Sequence, residues 1–162
     1  MIAYATNSSY DGVMPTRIDP TYLNAWRLFL TVHAALITEI DKDLSERNLI
    51  PLNWYDVLIE LYEAPGKRLR MSELAKRVLL TRSGLTRVVD RLEAENYLTR
   101  EIDPDDRRGF YAIITPEGVE AMKPAWEVYS RGIEQNFASY LDPKKAEILV
   151  SLFSEMLTNL ER

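Results

Sequence analysis

Residues 71–114 read MSELAKRVLL TRSGLTRVVD RLEAENYLTR EIDPDDRRGF YAII, and the changes of period along this stretch decide the fold. Ser72 is a good N-cap for a short helix reaching about Val78, with Glu73 near the positive end of its dipole. Thr81 caps a second helix over roughly 82–96. Two helices separated by so short a turn form a helix-turn-helix. From Tyr97 the pattern changes. Residues 98–102 and 110–114 are short runs rich in β-branched and aromatic side chains, joined by Asp103-Pro104-Asp105-Asp106-Arg107-Arg108-Gly109. They form a hairpin with a charged tip, and a hairpin directly after such a second helix is a wing.

The flanks are helical. Asp19-Pro20 opens a long helix to about Arg47, in which Leu23, Trp26, Leu30, Ala34, Ile37, Ile40 and Leu44 recur at three- and four-residue steps. Phe29, Val32 and Leu36 widen that stripe beyond half the circumference, so the helix is expected to bury part of its surface in a partner chain. Asn48-Leu49-Ile50-Pro51 breaks it. A helix over about 52–63 follows, with Trp54, Val57, Leu58, Leu61 and Tyr62 inward, and Ala64-Pro65-Gly66 ends it. After the hairpin, Thr115-Pro116-Glu117 restarts helix to about Tyr140, and Asp142-Pro143 opens the last amphipathic helix.

The fold class is therefore mainly α, a winged helix-turn-helix in α-α-α-α-β-β-α-α order with long terminal helices. Residues 1–19 are an arm or tail, 52–114 the winged lobe, and 20–51 with 115–162 a helical dimerisation region.

The second helix of the motif divides cleanly. Leu85, Val88, Val89 and Leu92 fall on one side, and Ser83, Thr86, Arg87 and Asp90 on the other. This is the division a helix in the major groove requires, although many surface helices share it; Arg can bond guanine twice, and Ser or Thr suits bases or phosphates. The chain has 162 residues and a net charge of −5, yet residues 67–91 hold eight basic and two acidic side chains, leaving −11 for the rest. A phosphate backbone responds to such a local basic island. At the wing tip Arg107 and Arg108 suit a narrow minor groove, while Asp105 or Asp106 can pair with them to hold the turn.

In order along residues 20–160, Met71-Ser72-Glu73-Leu74-Ala75, Ser83 to Glu93, Asp103 to Gly109 and Thr115-Pro116-Glu117-Gly118 resemble the MarR family of bacterial transcription regulators. The wing motif is the most specific part: Asp106 and Arg108 match its Asp-x-Arg, and Ile114-Thr115 replaces Leu-Thr. Asn96-Tyr97-Leu98 replaces the usual Lys-Gly-Leu, and Asn96 suits a left-handed C-cap nearly as well as Gly. The resemblance implies a homodimer with interleaved first, fifth and sixth helices, binding double-stranded DNA at a pseudo-palindromic operator. It implies Thr81, Arg82, Ser83, Thr86 and Arg87 as the major-groove set, Arg107 and Arg108 in the wing, and Asp106 as the wing's stabiliser. It also implies a repressor released by a small aromatic or anionic ligand. Trp26, Trp54, Tyr55 and Tyr62 are the candidate lining for that ligand, with Arg27 or His33 to meet an anion; an aromatic or a lone His at helical spacing also serves as core.

Other classes find little support. There is no Cys, so neither disulfides nor thiol sensing apply, and a single His leaves no transition-metal set. No phosphate-binding Gly loop, nucleophile elbow or singled-out carboxylate pair points to an enzyme or to a cofactor. No apolar run approaches the ~20 residues of a membrane span, and the N-terminus lacks the features of a secretory signal, so the expected compartment is the cytoplasm. The competing reading is a helical dimer whose winged lobe docks a protein and does not bind DNA.

Overall fold

The computed structural model describes residues 18–104, 106 and 109–160. Its elements are α1 (Pro20–Glu46), α2 (Leu52–Glu63), β1 (Arg68–Arg70), α3 (Met71–Arg77), α4 (Arg82–Ala94), β2 (Leu98–Ile102), β3 (Phe110–Ile114), α5 (Pro116–Asn136) and α6 (Pro143–Leu160), with 3₁₀ turns at Pro65–Lys67 and Ala138–Tyr140. Apart from Ile18 and Asp19, the expected arm lies outside the described residues.

The helix ends follow from local chemistry. Asn48 and Asn96 both take positive φ, at 54° and 60°. In each case the next N–H reaches back five residues, Leu49 to the Leu44 carbonyl at 3.0 Å and Tyr97 to the Leu92 carbonyl at 2.8 Å. Both helices thus close in the same left-handed motif, with Asn serving where Gly is commoner. Thr115 begins α5 as expected, its Oγ1 accepting the Gly118 N–H at 3.0 Å. The same hydroxyl donates to the Asn96 carbonyl at 2.7 Å, tying the start of α5 to the end of α4.

Three features differ from the sequence reading. The short helix α3 begins at Met71 with Arg70 in the cap position and no side-chain cap, so Ser72 lies in the first turn and does not cap it. Sheet pairing is the reason: Arg70 is held extended as the last residue of β1. That strand is the second difference. It pairs antiparallel with β3, Leu69 opposite Ala112, and the sheet runs β1-β3-β2 where only a hairpin was expected. Helix α5 also stops at Asn136, because Phe137 leaves helical geometry at φ −127°, and a 3₁₀ turn completes the stretch to Tyr140.

The core of residues 36–160 lies between α2, α3, α4 and the sheet, where Leu58, Leu61, Leu74, Leu92, Leu98 and Ala112 are fully buried. Ile40 and Leu44 of α1 and Met122 and Ala125 of α5 join it. At Gly132 the backbone of α5 approaches α1 so closely that a Cβ would lie 2.8 Å from Ile40 Cγ1. Much apolar surface stays outside this core. Residues 20–35 expose Tyr22, Trp26, Leu28, Phe29, Leu30 and Val32. No residue of α6 is buried, and Ile148, Val150, Phe153, Met156, Leu157 and Leu160 face outward.

The tightest joint is at Gly118, where a Cβ would stand 2.1 Å from the Tyr97 carbonyl oxygen. Thr115 already bonds that carbonyl through its N–H at 3.1 Å, so the strand-to-helix corner has no room to retreat. Gly118→Ala is expected to cost about 1–3 kcal/mol, the range for forcing atoms into a packed site. Urea unfolding measures it, and an unchanged midpoint contradicts this account of the corner.

Candidate nucleic-acid interface

Helix α4 stands in the division its sequence implied. Leu85, Val88, Val89 and Leu92 are buried, while Arg82, Ser83, Thr86, Arg87 and Asp90 are exposed. Thr81 caps the helix, its Oγ1 accepting the Gly84 N–H at 3.1 Å and lying 3.3 Å from Ser83 Oγ. A hydroxyl that accepts one bond still has a proton to donate, so capping and ligand contact are compatible at Thr81. Thr86 Oγ1 donates to the Arg82 carbonyl at 3.1 Å, which fixes the rotamer that presents its methyl and oxygen.

The basic island separates into two groups. Arg70 pairs with Asp103 at 2.7 Å, Arg68 with Glu101 at 3.5 Å and Arg77 with Glu60 at 3.5 Å. Lys67 sits over the Tyr62 ring, 4.5 Å from its centroid. Lys76, Arg82, Arg87 and Arg91 are exposed and have no carboxylate within 4.0 Å among the described residues. Three of these four are on α4 and the fourth is on α3. Asp90, which shares the outer face of α4, is engaged with Arg100 of β2. Arg100 also reaches Glu93 at 3.1 Å, so two α4 carboxylates hold the wing strand through one guanidinium. Asp90 therefore fixes the wing to the helix, a role its position on a helical wheel did not show.

A second clamp was missed by the sequence reading. Asp103 is the buried charged side chain of the core, 1% exposed, and its Oδ2 meets the Arg70 guanidinium. Arg70 Nε donates to the Tyr111 hydroxyl at 2.9 Å, and Tyr111 stands opposite Arg70 in the sheet register. One guanidinium thus joins β1, β3 and the residue that follows β2. No signal in the sequence marks a pair separated by 33 positions across an unexpected strand.

Beyond Asp103 the loop folds back on itself. The Asp103 N–H donates to the Gly109 carbonyl at 3.0 Å, and the Gly109 N–H donates to the Asp106 carbonyl at 2.8 Å. Arg107 and Arg108 lie outside the described residues, and so does any pairing between them and Asp106.

Within residues 20–35, Trp26 packs on Phe29 and Phe29 on His33, with ring centroids 5.9 and 6.5 Å apart; the Arg27 carbonyl accepts from Thr31 Oγ1 at 2.8 Å. On α2 each aromatic has a different neighbour. Trp54 meets Tyr97 edge-on at 6.3 Å, Tyr62 is exposed beneath Lys67, and Tyr55 is 6% exposed between Trp126 and Tyr129. A ligand reaches Tyr55 only if that stack opens, and burial already pushes its phenol pKa up. Next to it, burial and then the charges of Asp41 and Glu60 raise Asp56 to about 6. Asp41 is occupied as well, accepting the Leu52 N–H at 2.8 Å and so capping α2 from outside. An open groove lined by Lys67, Ile114, Thr115, Pro116, Val119 and Glu120 contains none of the six candidate effector residues.

Residues 50–109 match the model of the MarR family. Sco3205 of Streptomyces coelicolor, a MarR family transcriptional regulator solved in complex with DNA, superposes with a TM-score of 0.83 and 30% identity over 93% of this chain and 94% of that one. This chain belongs to the MarR family. AbsC, another MarR family transcriptional regulator of Streptomyces coelicolor, superposes with a TM-score of 0.80 and 29% identity, covering 91% of this chain and 99% of that one. The HTH-type transcriptional regulator YkoM of Bacillus subtilis is 25% identical over 130 residues, which is 80% of this chain and 82% of that protein. The mainly helical winged fold of this MarR-family chain is the one those structures share. Among its described residues no helix is long and apolar enough to cross a membrane.

The Arg70–Asp103 clamp has a measurable consequence. Arg70→Met removes the guanidinium that meets the buried Asp103 carboxylate, and breaking a fully buried ion pair costs ~3–5 kcal/mol. The Arg70 side chain is 39% exposed, so the expected loss is smaller, about 2 kcal/mol. Faster amide exchange in β2 and β3 should accompany it. Unchanged stability and exchange would show that the clamp is dispensable.

Proposed function

We propose that this transcriptional regulator binds double-stranded DNA in a sequence-specific manner as a homodimer, with residues 52–114 as the DNA-binding lobe. The helices of residues 20–51 and 115–162 form the dimerisation region. The observation that carries this reading is the set of exposed cations on α4, Arg82 and Arg87 beside Ser83 and Thr86, without carboxylate partners among the described residues. A helix held to its scaffold by Leu85, Val88, Val89 and Leu92 presents that set as a unit to base edges and phosphates. Thr81 joins it at the helix start, and Arg107 and Arg108 extend it through the wing into the minor groove. Asp106 braces the wing turn.

The apolar surfaces of residues 20–35 and of α6 support the dimer, since exposed leucines and aromatics in such numbers exceed what a monomer tolerates. A two-fold axis sets the two recognition helices about 34 Å apart, or a multiple of that, and so demands an inverted-repeat operator. Repression in the cytoplasm, with release by a small aromatic or anionic effector, completes the proposal. The TM-score of 0.83 to a relative solved with DNA supports the geometry of the lobe.

Selection of bound sequences from a pool of random duplexes tests this reading. An enriched inverted repeat, with affinity falling steeply as salt rises, is the expected result. Arg87→Ala should then weaken binding by ~1–3 kcal/mol and relax base preference at one position of each half-site. Absence of any bound duplex at low salt would favour the winged lobe as a protein-docking module.

A further inference from the structure

The turn between α3 and α4 holds a side chain that folding does not explain. Leu79 is 91% exposed, whereas its neighbour Val78 is 7% exposed and belongs to the core. Single exposed leucines are common on surfaces and need no account by themselves. The setting of this one is different. It lies two residues before the Thr81 cap of the recognition helix, far in sequence from the apolar surfaces of α1 and α6. Exposed Lys76 precedes it and exposed Arg82 follows it, each three residues away and neither with a carboxylate partner among the described residues. An apolar side chain with an exposed cation three residues away on each side complements a surface that is anionic overall and carries isolated apolar points. The major groove is such a surface, with thymine C5-methyl groups recessed between phosphate rows.

We infer that Leu79 is a specificity-determining residue that packs on a thymine methyl in the operator. The inference rests on the DNA-binding reading above and adds to it a base preference supplied from the turn before α4. Cations on either side set the turn against the backbone, and the leucine fills the space beside the methyl. Both surfaces leave water in the complex, so the pair contributes through dehydration, with no hydrogen bond to satisfy.

The test uses the full chain and the duplex enriched by selection. Each thymine is replaced in turn by deoxyuridine, which removes only the methyl group. The protein should lose about fourfold in affinity at one position per half-site, the value of one buried methyl. Leu79→Ser should show no response to uracil at that position and should already bind the thymine duplex about fourfold or more weakly, at an unchanged melting temperature. A selected site without thymine in the half-site would overturn the inference. So would a uracil response that is the same in both proteins, or a loss in Leu79→Ser that is uniform over all positions. In those cases the duplex is still bound and the DNA-binding reading stands. If the wild-type protein binds no duplex at low salt, both fall together.

Discussion

A recognition helix is useful only if the wing beside it stays in register, and here that register depends on two guanidinium groups. Arg100 of β2 grips Asp90 and Glu93 of α4, and Arg70 of β1 grips buried Asp103 while bonding Tyr111 of β3. Each arginine uses the planar fork that lets one side chain satisfy two partners at once. The sheet has only three short strands, of three and five residues, and these side-chain ties supplement its ladder.

Ion pairing also explains the charge pattern. A basic island on an acidic chain reads as a uniform electropositive patch, yet three of its eight cations are occupied by carboxylates and a fourth lies over an aromatic ring. The remaining cations lie on α3 and α4. The net positive potential is therefore concentrated along the outer face of α4, where a small number of phosphates would feel it within a Debye length. Family membership and the likeness to a relative solved with DNA agree with this arrangement.

Elements with a local cause were legible in the sequence. Helix α2, both hairpin strands and the Pro116 and Pro143 helix starts stand where apolar spacing, β-branched runs and Thr or Asp before Pro put them. Asn96 turned left-handed because helix closure is settled within six residues. What was not legible depends on distant partners. Strand β1 has three residues, too few to carry a period, and exists because β3 supplies the other half of its ladder. Asp103 looked like a turn residue until Arg70 arrived from 33 positions away. Asp90 seemed to belong with the base-reading residues because a helical wheel contains no wing. Of the candidate effector residues, α2 sends Trp54, Tyr55 and Tyr62 to three different neighbours, a result of tertiary packing on which helical spacing is silent.

The central claim is that the basic residues divide into those that hold the lobe together and those left for nucleic acid. Counterion release measures that division directly, because each phosphate contact adds about 0.9 to the slope of log affinity against log salt. The slope should be determined on one duplex for the wild-type protein, Arg82→Gln and Arg77→Gln. The account predicts that Arg82→Gln lowers the slope by about 1 per subunit, whereas Arg77→Gln, whose guanidinium already faces Glu60, leaves it unchanged. Equal reductions in both variants, or a reduction in Arg77→Gln alone, would contradict it.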